Sequence, residues 1–301
     1  MRSLELGLVA MLTVSVGAAV GPTMSSAAAC TAAVARDLPY SVVDGVEPAL
    51  LSLDVSPVPG DCSAPVVVWI HGGGWQIGDK TNDAAARAEF YNGQGWVLVS
   101  VNYRLVVSGL VPPVGYPDFN EDVAAALAWV GDNIDRYGGD AERVLLVGHS
   151  AGAGIAAAVI ADPDYLDVHG LAPDWIDCAV LLDTEGYDVA AMAERDGEPG
   201  VIYRAAFGDT PLVWADASPL SHVGEGPLPA HAVVVTRGVP RRTAAATAFG
   251  DRMRRAGSDV TVADVSPLTH ADVNQLIGSG DPTMTPLLAA TLTRCSETQA
   301  P

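Results

Sequence analysis

The sequence predicts an α/β protein with a mostly parallel sheet covered by helices on both faces. Short apolar, β-branched segments alternate along the chain with segments of helical character, and this alternation favours a parallel sheet between two helical layers. A chain of 301 residues, 49% of them hydrophobic, can bury one large core. No linker, charge block or internal repeat divides the sequence. We therefore expect a single domain over residues 30–301.

Eight strands are predicted from runs of apolar and β-branched residues. They cover residues 40–43, 50–55, 65–70, 97–101, 144–147, 179–182, 232–236 and 260–265. The first two are expected to pair as an antiparallel hairpin around Gly45. Five helices are predicted between the strands and after the last one, at residues 83–91, 120–137, 152–161, 242–256 and 286–294.

The most informative segment is the buried strand at 144–147 and the turn that follows it, Gly148-His149-Ser150-Ala151-Gly152. A strand, a sharp Gly-x-Ser-x-Gly turn and a helix, in this order, form a nucleophile elbow. The flanking glycines lack the Cβ atoms that would crowd a serine held in a strained backbone conformation. The pattern predicts Ser150 as a nucleophile, with a purely structural tight turn as the alternative.

A second glycine-rich segment, His71-Gly72-Gly73-Gly74-Trp75, follows the strand at 65–70. Acyl transfer requires backbone N–H groups aimed at the developing oxyanion, and glycines let the main chain approach a substrate closely. We assign the oxyanion hole to the N–H groups of Gly73, Gly74 and Ala151. His71 precedes the turn, so a structural role bracing the loop is expected for it.

The candidate general base is His270, five residues beyond the last predicted strand. Imidazole titrates near neutrality and can take the serine proton and return it to a leaving group. Parallel strands place the residues that follow them on one rim of the sheet, where ligands bind. A loop histidine at this point would therefore face Ser150, whereas a capping or surface histidine is the structural alternative.

These motifs resemble those of the α/β-hydrolase superfamily, and within it the small carboxylesterases related to hormone-sensitive lipase. The feruloyl-esterase-like and kynurenine-formamidase-like branches are the most similar. The resemblance covers roughly residues 40–296 and is carried by residues 71–75 with Gly78-Asp79-Lys80, Val101-Asn102-Tyr103-Arg104-Leu105, residues 148–152, and His270 with Asn274. It implies the α/β-hydrolase fold with the catalytic residues in the chain order Ser, acid, His.

The acid is where the chain departs from this family, whose usual carboxylate follows the seventh strand. Here that strand is followed by Arg237, and no carboxylate occurs before Asp251, which lies inside a predicted helix. Asp183 is the first residue after the strand at 179–182 and could reach a histidine over the sheet rim. Asp183 is therefore the preferred acid, while Glu185, a Ser-His dyad and a capping role for Asp183 stay open.

A segment without a clear strand, residues 187–223, is predicted to form a small helical cap over this rim. Because the cap is short, we expect an open pocket suited to small or aromatic esters. Trp75 and Tyr103 are expected to line or brace that pocket.

Composition limits the partners. The net charge of −20, with Lys80 as the single lysine, disfavours nucleic acid and anionic membranes. No cofactor motif is present, and none of the cysteine pairs has the close spacing of zinc ligands. A small-molecule ester is the expected partner, and the sequence does not specify an oligomeric state.

The N-terminal residues 1–29 are predicted to be a signal peptide, with Arg2, an apolar run and Ala27-Ala28-Ala29 as the cleavage site. Export to an oxidising compartment makes disulfides the default for four cysteines. Three connectivities are possible, and Cys30–Cys62 with Cys178–Cys295 is preferred because the first pair is the most local. Membrane anchoring through an acylated Cys30 is the alternative to secretion.

Together these features predict a secreted serine carboxylic-ester hydrolase that works through an acyl-enzyme. An arylformamidase or amidase would use the same residues. A non-catalytic hydrolase-fold protein that only binds a ligand is the alternative from another functional class.

Overall fold

A computed structural model describes residues 33–107 and 113–297. Its eight strands form one sheet in the order β1-β2-β4-β3-β5-β6-β7-β8. The strands are β1 Ala35–Pro39, β2 Ser52–Ser56, β3 Ala64–Ile70, β4 Val97–Val101, β5 Gly139–His149, β6 Cys178–Leu182, β7 His231–Thr236 and β8 Asp259–Asp264. β2 pairs antiparallel with both β1 and β4, and the other pairs are parallel. The predicted mostly parallel eight-stranded sheet is confirmed.

The central strands are mostly apolar and buried, because helices cover both faces of the sheet. Every residue of β3 is buried. Successive side chains point to opposite faces, so Val66, Val68 and Ile70 enter one hydrophobic core, whereas Val67 and Trp69 enter the other.

The helices occupy the positions between these strands. They are α1 Ala84–Gly93, α2 Asp118–Asn133, α3 Ala151–Ala161, α4 Asp164–Asp167, α5 Val189–Ala193, α6 Glu198–Phe207, α7 Pro211–Asp216, α8 Pro219–His222, α9 Pro240–Arg255, α10 His270–Gln275 and α11 Met284–Glu297. All five predicted helices are present, and the one predicted at 120–137 consists of α2 followed by the 3₁₀ helix Ile134–Tyr137.

Two local predictions were wrong. The first strand lies at Ala35–Pro39 and not at 40–43, because its pairing with β2 ends at Pro39 and Ser52, where β2 begins after the 3₁₀ helix Pro48–Leu51. His270 is the first residue of α10 and not part of a loop, since Thr269 and Asp272 form a capping box that starts this short helix.

The segment predicted as a cap contains the four short helices α5 to α8, between β6 and β7. Tyr203 and Phe207 of α6 pack edge-on against Trp75, with ring centroids 5.1 and 5.0 Å away. This packing brings α6 against the glycine loop at the carboxyl rim of the sheet.

The predicted Cys178–Cys295 disulfide is present and joins the start of β6 to α11, with 6.1 Å between the Cα atoms. Cys30 and residues 1–29 lie outside the described residues. The signal peptide, the acylation of Cys30 and the Cys30–Cys62 pairing therefore stay predictions. No helix in the described part of the chain is long and apolar enough to cross a membrane.

Candidate active site

Ser150 occupies a sharp turn between the end of β5 and the start of α3. Its φ is +56°, a left-handed conformation that is strained for a non-glycine residue. A Cβ atom at Gly148 would overlap the backbone of Gly152, and one at Gly152 would overlap the carbonyl oxygen of Ile70. The serine is therefore presented at the carboxyl end of β5 by a turn that requires glycine at both flanks.

His270 lies beside this serine. Its Nε2 is 2.9 Å from Ser150 Oγ, so the hydroxyl can donate to the ring. His149, the residue just before the serine, donates from Nε2 to the carbonyl oxygen of His270 at 3.0 Å. Burial and the neighbouring His270 lower the pKa of His149 to about 4, so the His149 ring is neutral near pH 7 and holds the backbone at the start of α10.

Asp183 completes a continuous line of side chains. It follows β6 directly, its side chain is fully buried, and its Oδ2 accepts a 2.6 Å hydrogen bond from His270 Nδ1. Its φ is +52°, and its N–H donates to the carbonyl oxygen of Val235 on β7 at 3.0 Å. The structure thus brings together Ser150, His270 and Asp183, the three residues that sequence analysis selected.

Glu185, the alternative acid, faces another way. Its carboxylate contacts Arg241 and lies 2.7 Å from Arg242 Nη1. Among the described residues, the carboxylate that touches His270 Nδ1 is that of Asp183. Neither a dyad without a carboxylate nor a site centred on Glu185 matches this geometry.

Sequence analysis missed two arginines that hold Asp183. Arg237 Nε donates to Oδ2 at 2.6 Å and Arg242 Nη2 donates to Oδ1 at 2.8 Å. Burial alone would raise the pKa of Asp183, but the hydrogen bond from His270 and the Arg242 guanidinium outweigh it and lower the pKa to about 2. The sequence does contain a signal for them, since both arginines follow β7, where the hydrolases that the chain resembles have their acid.

The glycine loop has a backbone conformation that favours glycine. Gly73 and Gly74 have φ values of +127° and +61°, and a Cβ atom at Gly73 would overlap the carbonyl oxygen of Ile77. In the part of the chain that the structure describes, the N–H groups of Gly73, Gly74 and Ala151 have no acceptor. They are therefore available to a substrate oxygen.

His71 and Tyr103 support this loop from beneath. The rings stack with centroids 4.4 Å apart, His71 Nδ1 donates to the Gly72 carbonyl oxygen at 2.8 Å, and the Tyr103 hydroxyl donates to the His71 carbonyl oxygen at 2.9 Å. Burial lowers the pKa of His71, which suits a neutral bracing residue. Tyr103 is fully buried and does not line the cavity, so of its two expected roles it has the bracing one and not the lining one.

A cavity of about 900 Å³ opens around Ser150. Its lining includes apolar side chains, among them Trp75, Met192, Ile202 and Tyr203, and polar ones, among them Asn82, Arg87, Asn274 and Gln275. The cavity around Ser150 therefore offers surface both for a hydrocarbon group and for a hydrogen-bonding group.

One group of side chains in the described residues is close enough to share a metal ion: Asp162, His222 and Glu225. Both ring nitrogens of His222 already have partners, since Nδ1 pairs with Glu225 Oε2 at 2.8 Å and Nε2 donates to the Asp216 carbonyl oxygen at 2.6 Å. None of the three lines the cavity around Ser150.

Comparison with known proteins finds similarity to carboxylesterases and esterases. Residues 53–168 match the family model described as BD-FAE. The chain is 45% identical to carboxylesterase NlhH of Mycobacterium tuberculosis over 96 residues, which cover 32% of this chain and 28% of NlhH. It is 30% identical to esterase LipQ of the same organism over 254 residues, which cover 80% of this chain and 58% of LipQ. The matched part of the chain therefore spans between about a quarter and three fifths of the length of these relatives.

Among solved structures, esterase B from Lactobacillus rhamnosis superimposes with a TM-score of 0.70 at 19% identity, covering 88% of this chain and 86% of the esterase. This likeness concerns the fold. Together with the strand order, the glycine turn at Ser150 and the similarity to carboxylesterases, it leads to one assignment. The chain has the α/β-hydrolase fold, and its sequence is similar to those of carboxylesterases.

Proposed function

We propose that this protein is a serine carboxylesterase in which Ser150, His270 and Asp183 form the catalytic triad. The observation that carries the proposal is the unbroken line of contacts from Ser150 Oγ to His270 Nε2 at 2.9 Å and from His270 Nδ1 to Asp183 Oδ2 at 2.6 Å. A nucleophile, a base and an orienting carboxylate in this order are the requirements of nucleophilic acyl transfer.

In the first half-reaction, Ser150 Oγ forms a bond to the ester carbonyl carbon while its proton moves to His270 Nε2. The carbonyl oxygen becomes an oxyanion that accepts hydrogen bonds from the N–H groups of Gly73, Gly74 and Ala151. When the tetrahedral intermediate collapses, the bond to the alcohol oxygen breaks and His270 gives its proton to that oxygen. The alcohol leaves, and the acyl group stays on Ser150.

In the second half-reaction, a water molecule takes the place of the alcohol. His270 removes a proton from the water as its oxygen attacks the acyl carbon, and then returns the proton to Ser150 Oγ as the acid leaves. Asp183 keeps the Nδ1 proton of His270 in place and stabilises the imidazolium that forms in both steps.

The substrates proposed are small or aromatic esters. The apolar lining residues Trp75, Ile202 and Tyr203 suit a short acyl chain or a ring, and the short helices α5 to α8 provide little surface for a long chain. We expect acyl chains of about eight carbons or fewer to be preferred. Faster turnover of a p-nitrophenyl palmitate than of a butyrate would contradict this expectation.

We also propose that the mature protein is secreted. The predicted signal peptide and the Cys178–Cys295 disulfide support export, because disulfides persist in oxidising compartments. The mass of the mature N-terminus tests this proposal, since an acylated Cys30 would instead establish a membrane-anchored lipoprotein.

The decisive experiment is labelling with a serine-reactive fluorophosphonate. Labelling that is lost in Ser150→Ala and kept in the matched control Ser279→Ala, an exposed serine outside the cavity, supports the triad. A folded protein without labelling would favour a ligand-binding protein. A panel of p-nitrophenyl, feruloyl and formanilide substrates then separates ester from amide cleavage.

A further inference from the structure

Two guanidinium groups bind the buried carboxylate of Asp183. Arg237 directly follows β7, and its Nε shares Oδ2 with His270 Nδ1, both at 2.6 Å. Arg242 comes from the first turn of α9 and binds Oδ1 at 2.8 Å, and it also donates to the Asp183 backbone carbonyl oxygen at 3.2 Å. The acid is thus bonded to two permanent cations as well as to the histidine.

These arginines are themselves mostly buried, so their charges act at close range. The side chains of Arg237 and Arg242 are 20% and 18% exposed, and that of Asp183 is 0% exposed. Because Arg237 Nε and His270 Nδ1 bind one oxygen at 2.6 Å each, they lie at most about 5 Å apart. Interactions between charges at this distance are strong in a partly buried site.

The other charged or titratable groups around this cluster are of both signs. Glu185, in the turn after β6, lies 2.7 Å from Arg242. The remaining groups are His149 at the end of β5, Tyr187 before α5, Arg195 after α5, Tyr203 on α6, Arg241 on α9 and Asp272 on α10. Arg195 and Arg241 contact Glu185, and Asp272 lies within electrostatic reach of Arg237. Glu185 pairs with Arg242, whereas Arg237 contacts Asp183. Glu185 therefore does not cancel the effect of the Arg237 charge on His270.

We propose that Arg237 and Arg242 are positioning residues that extend the activity of the Ser150–His270 pair to lower pH by partly neutralising the Asp183 carboxylate. The inference rests on the proposed function of the same site and concerns how its acid is tuned. Asp183 stays ionised and fixed, while its charge favours protonation of the imidazole less than an uncompensated carboxylate would.

The two arginines have separable roles in this arrangement. Arg237 shares an oxygen with His270, so its removal changes mainly the charge that the imidazole experiences. Arg242 binds the other oxygen and Glu185, so its removal changes mainly the orientation of the Asp183 carboxylate. We therefore expect Arg237→Gln to alter the pH dependence most and Arg242→Gln to lower kcat most.

The test compares kcat/KM for p-nitrophenyl butyrate between pH 4 and 9 in wild type, Arg237→Gln, Arg237→Lys, Arg242→Gln and the matched control Arg241→Gln. Arg241 carries the same charge and contacts Glu185, but not Asp183. In Arg237→Gln, we expect the acidic limb of the kcat/KM profile to move to higher pH by about one unit, after allowance for solvent screening. Arg237→Lys should keep the limb near its wild-type position, and Arg241→Gln should shift it by less than about 0.3 unit.

In Arg242→Gln, kcat should fall by about tenfold or more and KM should change less than kcat, since this arginine acts through the orientation of Asp183. An acidic limb in Arg237→Gln that coincides with that of Arg241→Gln would overturn the inference. If Arg242→Gln fails to fold, the Arg237 variants carry the test alone.

A second measurement does not depend on turnover. The imidazole of His270, identified by the resonance that disappears in His270→Asn, is titrated by NMR in wild type and Arg237→Gln. An upward shift of its midpoint by about one unit supports the inference even if Ser150 shows no esterase activity, which would refute the proposed function only. An unchanged midpoint refutes the inference while leaving the esterase proposal intact.

Discussion

Replacing Asp183 with asparagine is the most direct perturbation of the proposed triad. The substitution keeps the size and shape of the side chain but removes the charge that faces His270 Nδ1 at 2.6 Å. An asparagine amide that turns its NH₂ group toward the ring would select the wrong imidazole tautomer, with Nε2 protonated. His270 would then be unable to accept the proton of Ser150.

The contacts of Asp183 determine the expected changes in kcat and in the free energy of unfolding. The corresponding change in a serine-protease triad lowers kcat by about 10⁴-fold, and we expect a loss of about 10³- to 10⁴-fold here. The pKa of Asp183 is lowered from 3.8 to about 2, which corresponds to about 2 kcal/mol of folding free energy. That stabilisation is present above pH 4 and is lost as the pH falls through 2, because the unfolded carboxylate binds its proton first.

The assay is kcat for p-nitrophenyl butyrate at pH 7.5, measured well below the unfolding temperature, with urea unfolding of the same samples. Glu185→Gln is the matched control, since Glu185 also pairs with Arg242 but does not touch His270; its kcat should fall less than about tenfold. A folded Asp183→Asn variant that loses less than tenfold in kcat would remove Asp183 from the triad.

Three further outcomes are expected. The free energy of unfolding of the wild type should fall by about 3 kcal/mol between pH 6.5 and 4. Burial lowers the pKa of His149 to about 4, so in that range only the unfolded chain takes up a proton at this residue. Urea unfolding of His149→Gln should show a free energy that depends less on pH. Gly73→Ala should lower kcat by about 10²- to 10³-fold, since the new Cβ atom meets the Ile77 carbonyl oxygen and displaces an oxyanion donor; steady-state kinetics measure this loss. Removing both Cys178 and Cys295 should lower the unfolding free energy by about 5 kcal/mol, because the disulfide spans 117 residues; urea titration measures the difference.

Each of these expectations has a clear contrary result. Parallel pH profiles for wild type and His149→Gln would show that His149 is not the group that titrates. Unchanged kcat in a folded Gly73→Ala variant would remove the Gly73 amide from the oxyanion hole. Equal stability with and without the Cys178–Cys295 link would mean that the reduced unfolded chain is already constrained.

Most of the sheet could be predicted because its strands are buried on both faces. Uninterrupted apolar runs such as β3 and β6 need no long-range information to be recognised. β1 could not be located in this way, since Ala35-Arg36-Asp37-Leu38-Pro39 lies at the sheet edge with every side chain intermediate or exposed. The position of β1 depends on its pairing with β2, and this pairing cannot be predicted from the local sequence.

The site was predictable to the extent that strand ends determine it. Ser150, Asp183 and His270 were found because each follows a strand, and parallel strands end on one rim. The ion pairs of Asp183 with Arg237 and Arg242 were not found, because they join residues 54 and 59 positions apart. Nothing in hydrophobic periodicity specifies which charges meet across neighbouring strand ends.

The strand order explains why an acid after β6 can serve a histidine after β8. Ser150 follows β5 and His270 must approach it across the ends of β6 and β7, which lie between β5 and β8 in the sheet. Both intervening strand ends are therefore within reach of the His270 ring. Two carboxylates there would repel each other and compete for one imidazole, so the two positions are alternatives. This chain has a carboxylate, Asp183, after β6 and a cation, Arg237, after β7. Through their 2.6 Å contact, the residue after β7 binds the acid and does not replace it.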